Sequence, residues 1–77
     1  MKTTLERLTF HVAEEAGAVD VTATSKLRSE LGMDSIDISN LIESINEEFQ
    51  ISVSENDLDK CITVADVVTL IDKKLGV

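Results

Sequence analysis

The sequence predicts an all-α protein, a small four-helix bundle with three longer helices, one short helix and a long ordered first loop. In three separate stretches the apolar residues recur at steps of three and four, which is the spacing of a helix with one buried face. Residues of the kinds that begin and end helices flank these stretches. At 77 residues the chain has room for one domain, spanning 1–77, with one small core.

The first predicted helix covers about residues 3–16 and is followed by Gly17. The glycine can take the left-handed conformation that ends a helix. Residues 17–34 have no clean period, so we expect a long ordered loop there, pinned by its irregularly spaced apolar side chains. The apolar residues are Leu5, Leu8, Val12 and Ala16 in the helix, and Val19, Val21, Leu27 and Leu31 in the loop.

The second predicted helix, at about residues 35–50, has the strongest periodicity in the chain. One of its faces is apolar and the opposite face is polar throughout. Ile36 is bulky but lies off the apolar face, so we expect it to be exposed in the first turn. The apolar face consists of Ile38, Leu41, Ile42, Ile45 and Phe49, and the polar face of Ser39, Asn40, Glu43, Asn46 and Glu47.

Two further helices are predicted after a short extended segment at residues 51–53. Ser54 is followed three residues later by Asp57, which resembles a capping pair and predicts a short helix at about 55–61. The same pattern recurs before a last helix, which ends at a glycine. The recurring pair is Thr63 and Asp66, the apolar face consists of Val64, Val67, Val68, Ile71 and Leu75, and the glycine is Gly76.

Acidic residues are concentrated in the middle of the chain. The whole formal charge of -8 falls in residues 29–60, and the other 45 residues hold six acids and six bases. The charge argues against binding to nucleic acid or to an anionic membrane, because phosphates would be repelled. No apolar run approaches the ~18–20 residues that span a bilayer. A basic protein partner is the natural complement, although a solvated helix face would give the same run of charge.

Most catalytic constellations are absent from the sequence. His11 is the only histidine, and we expect it at the surface or the boundary, with no metal site. Cys61 is the only cysteine, and we expect a small buried side chain rather than a nucleophile. A single cysteine cannot form an internal disulfide, and residues 1–10 lack the apolar segment of a signal peptide. A cytoplasmic protein is therefore expected.

Ser35 stands at the predicted start of the second helix, and two interpretations of it are open. Serine is a favoured N-cap residue, which would explain its presence without any chemistry. Alternatively, a hydroxyl on an exposed helix corner is accessible to a modifying enzyme, and an attached phosphate would lie near the positive end of the helix dipole. Asp34 and Asp37 could then help present a metal ion or bind a basic modifying enzyme.

Several motifs, spread over most of the chain, match the pattern of one known family. They are Leu31-Gly32, Asp34-Ser35-Ile36-Asp37, Glu47-Glu48-Phe49, Ile51, Val53 and Ile62-Thr63-Val64. In these motifs the chain resembles the acyl carrier proteins. The resemblance implies a 4′-phosphopantetheine arm, derived from coenzyme A and joined to Ser35 through a phosphodiester, with Asp34 and Ile36 flanking the cofactor site. The terminal thiol of such an arm carries an acyl group as a thioester, so the carrier itself is not an enzyme.

The resemblance also implies partners, namely a phosphopantetheinyl transferase and acyl-transferring or acyl-modifying enzymes with basic docking surfaces. It implies a monomeric carrier in fatty-acid, lipid or polyketide-type biosynthesis. The expected docking residues are Ile36, Asp37, Glu43, Glu47 and Glu48 on the second helix. An acyl chain, the cargo, would enter the bundle against Ile42, Ile45, Val53, Ile62, Val67 and Ile71.

The exposed face of the second helix departs from the family pattern. Ser39, Asn40 and Glu43 stand where the family often has an apolar residue, an acid and a methionine. Two alternatives to an acyl carrier therefore stay open. One is a specialised carrier of an aminoacyl cargo. The other is an unmodified acidic interaction module of the same fold, in which Ser35 is only a cap.

Overall fold

The computed structural model describes residues 2–76, which form four α-helices. α1 packs against both α2 and α4, and the short α3 packs against α2. These residues contain no strand, so the predicted all-α class with three longer helices and one short helix is confirmed. The helices are α1 (Thr4–Ala16), α2 (Ser35–Phe49), α3 (Glu55–Asp59) and α4 (Val64–Leu75).

Each of these helices begins with a capping box. The N-cap side chain accepts a hydrogen bond from the backbone N–H three residues on, and the acid at that position accepts one from the N-cap N–H. Each box satisfies two N–H groups that have no partner inside the helix and places a carboxylate at its positive end. The pairs are Thr3–Glu6, Asp34–Asp37, Ser54–Asp57 and Thr63–Asp66. The pairs predicted for α3 and α4 are therefore confirmed.

Two of the three longer helices end at a glycine. Gly17 and Gly76 end α1 and α4 in the left-handed conformation, with φ of 67° and 80°, as predicted. Gln50 ends α2 with a φ of 55°, and its side-chain Nε2 donates to the carbonyl of Glu47 at 2.7 Å, which helps to hold this less favourable backbone. No helix within residues 2–76 is long and apolar enough to cross a membrane.

Apolar side chains from all four helices form one core cluster. The predicted apolar face of α2 is buried in full, and Phe49 is the aromatic residue of the core, since Phe10 is 57% exposed. Cys61 is buried, as predicted. Leu75 was predicted in the core but is exposed, because α4 ends at this residue. The other buried residues are Leu8, Val12, Leu27, Met33, Ile38, Leu41, Ile42, Ile45, Val53, Leu58, Val64, Val67 and Ile71.

Backbone pairing holds the loop at residues 17–34 against the segment before α4. The N–H of Leu27 donates to the carbonyl of Ile62 at 2.9 Å, and the carbonyl of Ser25 accepts from the first residue of α4 at 3.0 Å. Leu27 is buried and helps to pin the loop, as predicted. Val19 is 93% exposed, so its predicted role in pinning the loop is wrong. It precedes the paired segment.

A side-chain amide supports the connection between α2 and α3. The predicted polar face of α2 included Asn46, which is half-buried in the structure. Its Oδ1 accepts from the N–H of Val53 at 2.8 Å, and its Nδ2 donates to the carbonyl of Val53 at 3.2 Å. The amide thus supplies hydrogen-bond partners for both backbone polar groups of this buried residue.

Candidate functional site

The N-cap of α2 is Asp34, and Ser35 is the first residue of the helix. The N–H of Asp37 donates to Asp34 Oδ1 at 2.9 Å, and the N–H of Asp34 donates to Asp37 Oδ2 at 3.3 Å. The interpretation of Ser35 as the N-cap is therefore wrong. The aspartate before it takes that position, where its negative charge also interacts favourably with the helix dipole.

The hydroxyl of Ser35 has no part in holding the fold. The residue is exposed, and no hydrogen bond within residues 2–76 involves its side chain. Its position at the helix start is fixed by the capping box around it. The hydroxyl is thus presented to solvent by a rigid helix end, and bonding a group to its oxygen would break no contact of the described chain.

A small depression lies beside Ser35, with a volume of about 40 Å³, between the loop, α2 and α3. Two of its lining residues, Arg28 and Asp59, form an ion pair with Nη2 and Oδ1 2.9 Å apart. The carboxylate of Glu55 accepts from the hydroxyl of Ser39 at 2.9 Å. The residues that line the depression are Arg28, Ser35, Ile38, Glu55 and Asp59.

The site has the features that a phosphodiester on Ser35 requires. The free hydroxyl provides the oxygen to be esterified, and it lies at the positive end of a helix of 15 residues. Arg28 provides a guanidinium group in the same depression. The residues present therefore fit the group, and the acids of the depression, Glu55 and Asp59, are each already bound to another side chain.

The predicted docking residues divide between two faces of α2. Ile36, Glu43 and Glu47 are separated by seven and eleven residues, a spacing that aligns them along one side of a helix. All three are exposed, with Ile36 71% exposed, and neither glutamate forms an ion pair within the described chain. Asp37 is half-buried and belongs to the capping box.

Glu48, the fifth predicted docking residue, ties α2 to α1. Its carboxylate lies 2.8 Å from Arg7 Nε and 3.1 Å from His11 Nε2, and its backbone carbonyl accepts from Arg7 Nη2 at 2.9 Å. The same guanidinium stacks over the ring of Phe49, with 4.4 Å between Cζ and the ring centroid. Hydrogen bonds from His11 and then Arg7 lower the pKa of the Glu48 carboxyl. This cluster joins residues about 40 positions apart, which local sequence patterns cannot reveal.

Burial fits the expected cargo lining at all but one of its six residues. Five of the six residues are buried in the core, but Ile62 is 63% exposed and does not line the interior. Its backbone carbonyl is engaged by the loop, while Cys61 and Val64 on either side of it are buried. The buried residues are Ile42, Ile45, Val53, Val67 and Ile71.

The described part of the chain shows neither a reactive thiol nor a cluster of metal ligands. Burial is the main cause that raises the pKa of the Cys61 thiol, and the charges of Asp66 and Asp57 raise it further. A raised pKa keeps the thiol protonated and unreactive at neutral pH. Within residues 2–76 no three or more His, Cys, Asp or Glu side chains group in a way that could hold a metal ion.

Comparison with known proteins agrees with this geometry. A family model described as the phosphopantetheine attachment site matches residues 6–71. The acyl carrier protein of Thermotoga maritima is 40% identical over 67 residues, which cover 84% of this chain and 83% of the relative. The solution structure of holo acyl carrier protein from Geobacter metallireducens matches with a TM-score of 0.77 and 28% identity, covering 95% of this chain and 86% of that chain. The chain therefore belongs to the acyl carrier protein family, and the cofactor that this membership implies is a covalently attached 4′-phosphopantetheine.

Proposed function

We propose that the chain carries acyl intermediates of fatty-acid, lipid or polyketide-type biosynthesis on an arm attached to Ser35. The observation that carries this proposal is the exposed Ser35 hydroxyl at the start of α2. Asp34 is the N-cap of this helix, so the hydroxyl of Ser35 is not needed for capping. When bound, 4′-phosphopantetheine supplies a terminal thiol that holds the acyl group as a thioester. In the attachment step the Ser35 oxygen bonds to the phosphorus next to the pantetheine of coenzyme A and loses its proton, while the pyrophosphate bond breaks and adenosine 3′,5′-bisphosphate leaves.

The chain acts as a substrate of its partner enzymes and catalyses no step itself. Among the lining residues described, no histidine or lysine accompanies Ser35, and the carboxylates of Glu55 and Asp59 are bound to other side chains. A serine hydroxyl is a weak nucleophile unless a base activates it. The base that takes the Ser35 proton therefore belongs to the transferase that attaches the arm.

Partner enzymes dock on the face of α2 formed by Ile36, Glu43 and Glu47. An exposed apolar side chain next to the attachment serine supplies binding energy, and the two glutamates supply orientation and speed of association toward basic surfaces. Glu48 does not belong to this surface, because its carboxylate is held by α1. The partner surface is thus narrower than the acidic segment as a whole.

Intact-mass spectrometry tests the attachment site. The protein is incubated with coenzyme A and a phosphopantetheinyl transferase, and the expected result is a mass gain of one phosphopantetheine group. Ser35→Ala should abolish the gain and stay folded, because Asp34 still caps α2. Ser29→Ala, which removes another exposed serine, one that lines a neighbouring depression, is the matched control and should be modified like the wild type. Modification that persists in Ser35→Ala would disprove the assignment.

A further inference from the structure

We propose that Arg28 binds the phosphodiester that joins the arm to Ser35, so that the depression beside Ser35 is a phosphodiester-binding site. This inference rests on the proposed function, since it requires the arm on Ser35. Its starting observation is that Arg28, seven residues earlier in the chain, lines the same depression as Ser35. Arg28 is also the one cation among the residues described as lining it.

The size of the depression suits a phosphoryl group. Its volume of about 40 Å³ exceeds the ~10–15 Å³ that one water requires, yet it is far too small for an acyl chain. Of its two acids, Asp59 is paired with Arg28, whereas Glu55 accepts from the neutral hydroxyl of Ser39 and keeps its negative charge. The side of the depression formed by Arg28 is therefore the one that attracts a phosphate oxygen.

Arg28 keeps donors free while it holds Asp59. A guanidinium group has five N–H donors in a rigid fork, and within residues 2–76 only Nη2 of Arg28 is engaged, at 2.9 Å from Asp59. The side chain is 47% exposed, so the remaining donors are not shut inside the core. One arginine can therefore bind the carboxylate and a phosphodiester oxygen at once, in the charge-assisted geometry that arginine favours with phosphate.

The loop holds the backbone around Arg28 in place. The preceding residue, Leu27, is buried, and its N–H and carbonyl are both engaged, the latter by Met33 at 3.1 Å. The carbonyl of Arg28 accepts from Gly32 at 3.2 Å. The backbone that carries the Arg28 side chain is therefore fixed. Lys26, two residues earlier, lines a neighbouring depression together with Arg28 but does not line the one that contains Ser35.

This arrangement would separate the arm from the partner surface. A phosphodiester held by Arg28 is drawn toward the loop and α3, where Asp59 anchors the same guanidinium. The exposed face of α2 with Ile36, Glu43 and Glu47 then stays clear for a partner enzyme. Arg28 is accordingly a positioning residue for the arm.

The test compares the full chain with and without the arm, in the wild type, Arg28→Gln, Arg28→Lys and the control Lys26→Gln. Phosphorus-31 NMR reports the phosphodiester, and thermal melting reports the change in stability when the arm is attached. We expect Arg28→Gln to move the phosphorus resonance. For each protein we take the melting temperature of the holo form minus that of the apo form, and this difference should be about 2–5 °C lower in Arg28→Gln than in the wild type. Lys26→Gln should leave both unchanged, and Arg28→Lys should fall between.

Asp59→Asn gives a second test that leaves Arg28 in place. Freed from the carboxylate, the guanidinium should bind the phosphodiester more closely and move the resonance in the direction opposite to Arg28→Gln. The intact mass is measured first, because it separates failure of the proposed function from failure of the role of Arg28. A wild type that gains no arm overturns the proposed function and this inference with it. If the arm attaches but Arg28→Gln and Asp59→Asn leave the resonance where the wild type has it, the role of Arg28 is overturned and the proposed function stands.

Discussion

Asn46→Ala should lower the free energy of unfolding by about 2 kcal/mol. The side chain makes two hydrogen bonds to the backbone of Val53, at 2.8 Å and 3.2 Å. Each contributes about 1 kcal/mol net, and Val53 is 4% exposed, so water does not readily replace them. Bare backbone groups that stay buried would add to the loss. For a domain whose total stability is about 5–15 kcal/mol, this is a large fraction.

Urea unfolding followed by far-ultraviolet circular dichroism is the suitable assay, because the chain has no tryptophan or tyrosine to report by fluorescence. The melting temperature should fall by about 8–16 °C. Asn40→Ala is the matched control. It truncates an exposed asparagine of the same helix, whose side chain makes no hydrogen bond within residues 2–76, and should change the stability by less than about 0.5 kcal/mol.

Asn46→Asp separates the two bonds. The aspartate keeps the shape of the side chain and the acceptor for the N–H of Val53, but it loses the donor to the carbonyl. Because its ionised carboxylate places an oxygen against the carbonyl of Val53 near the negative end of α2, its stability should fall at least as far as that of Asn46→Ala. If Asn46→Ala unfolds at the same urea concentration as Asn40→Ala, the amide does not support the connection, and burial of the Val53 side chain alone holds the approach to α3.

Ile36→Ala should slow attachment of the arm with a stability change below about 0.5 kcal/mol, whereas Ile38→Ala, which truncates a buried neighbour, should cost about 2–5 kcal/mol; an Ile36→Ala protein that unfolds would contradict the exposed position of the side chain. Glu48→Gln should change the melting temperature least at acidic pH, because hydrogen bonds from His11 and Arg7 lower the pKa of Glu48 below its usual 4.5. Its contribution to stability is therefore present above about pH 4.5 and lost as the pH falls through the lowered value, and a melting difference from the wild type that stays constant from neutral to strongly acidic pH would refute it. A holo form loaded with an acyl chain should melt above the form with a bare arm, because the aliphatic core can bury the chain; equal melting at every chain length would place the tail in solvent.

The sequence predicted the helices well because their signals are local. The apolar face of α2 recurs over about three turns, and every member of it is buried in the structure. The capping boxes of α3 and α4 could be predicted from residues three positions apart, Ser54 with Asp57 and Thr63 with Asp66. At α2 the same spacing, Asp34 with Asp37, identifies Asp34 as the N-cap, whereas Ser35 has Ile38 three positions on; the signal for this cap is present in the sequence, and the interpretation of Ser35 as a cap overlooked it.

The features that sequence could not predict depend on contacts between distant segments. Glu48 belongs to an acidic run, and only the approach of α1 shows that its carboxylate is already used. Ile62 is as apolar as the core residues around it. In the structure its carbonyl accepts from the N–H of Leu27, and its side chain is exposed. Arg28 could not be linked to the site for the same reason, since a loop without a period gives no direction for its side chains.

Most acids of residues 29–60 are engaged in hydrogen bonds or ion pairs within the protein, which restricts the surface on which a partner can dock. Of the nine acids in residues 29–60, seven have a carboxylate that accepts a hydrogen bond or forms an ion pair within the described chain. Charge reversal at any of these would disturb a helix cap, the loop or a tie between helices, and so would confuse lost stability with lost recognition. Glu43 and Glu47 have no such partner, and both lie on the face of Ile36. A loss of association rate on reversing either one, greatest at low salt, can therefore be assigned to the docking surface itself. The seven engaged residues are Glu30, Asp34, Asp37, Glu48, Glu55, Asp57 and Asp59.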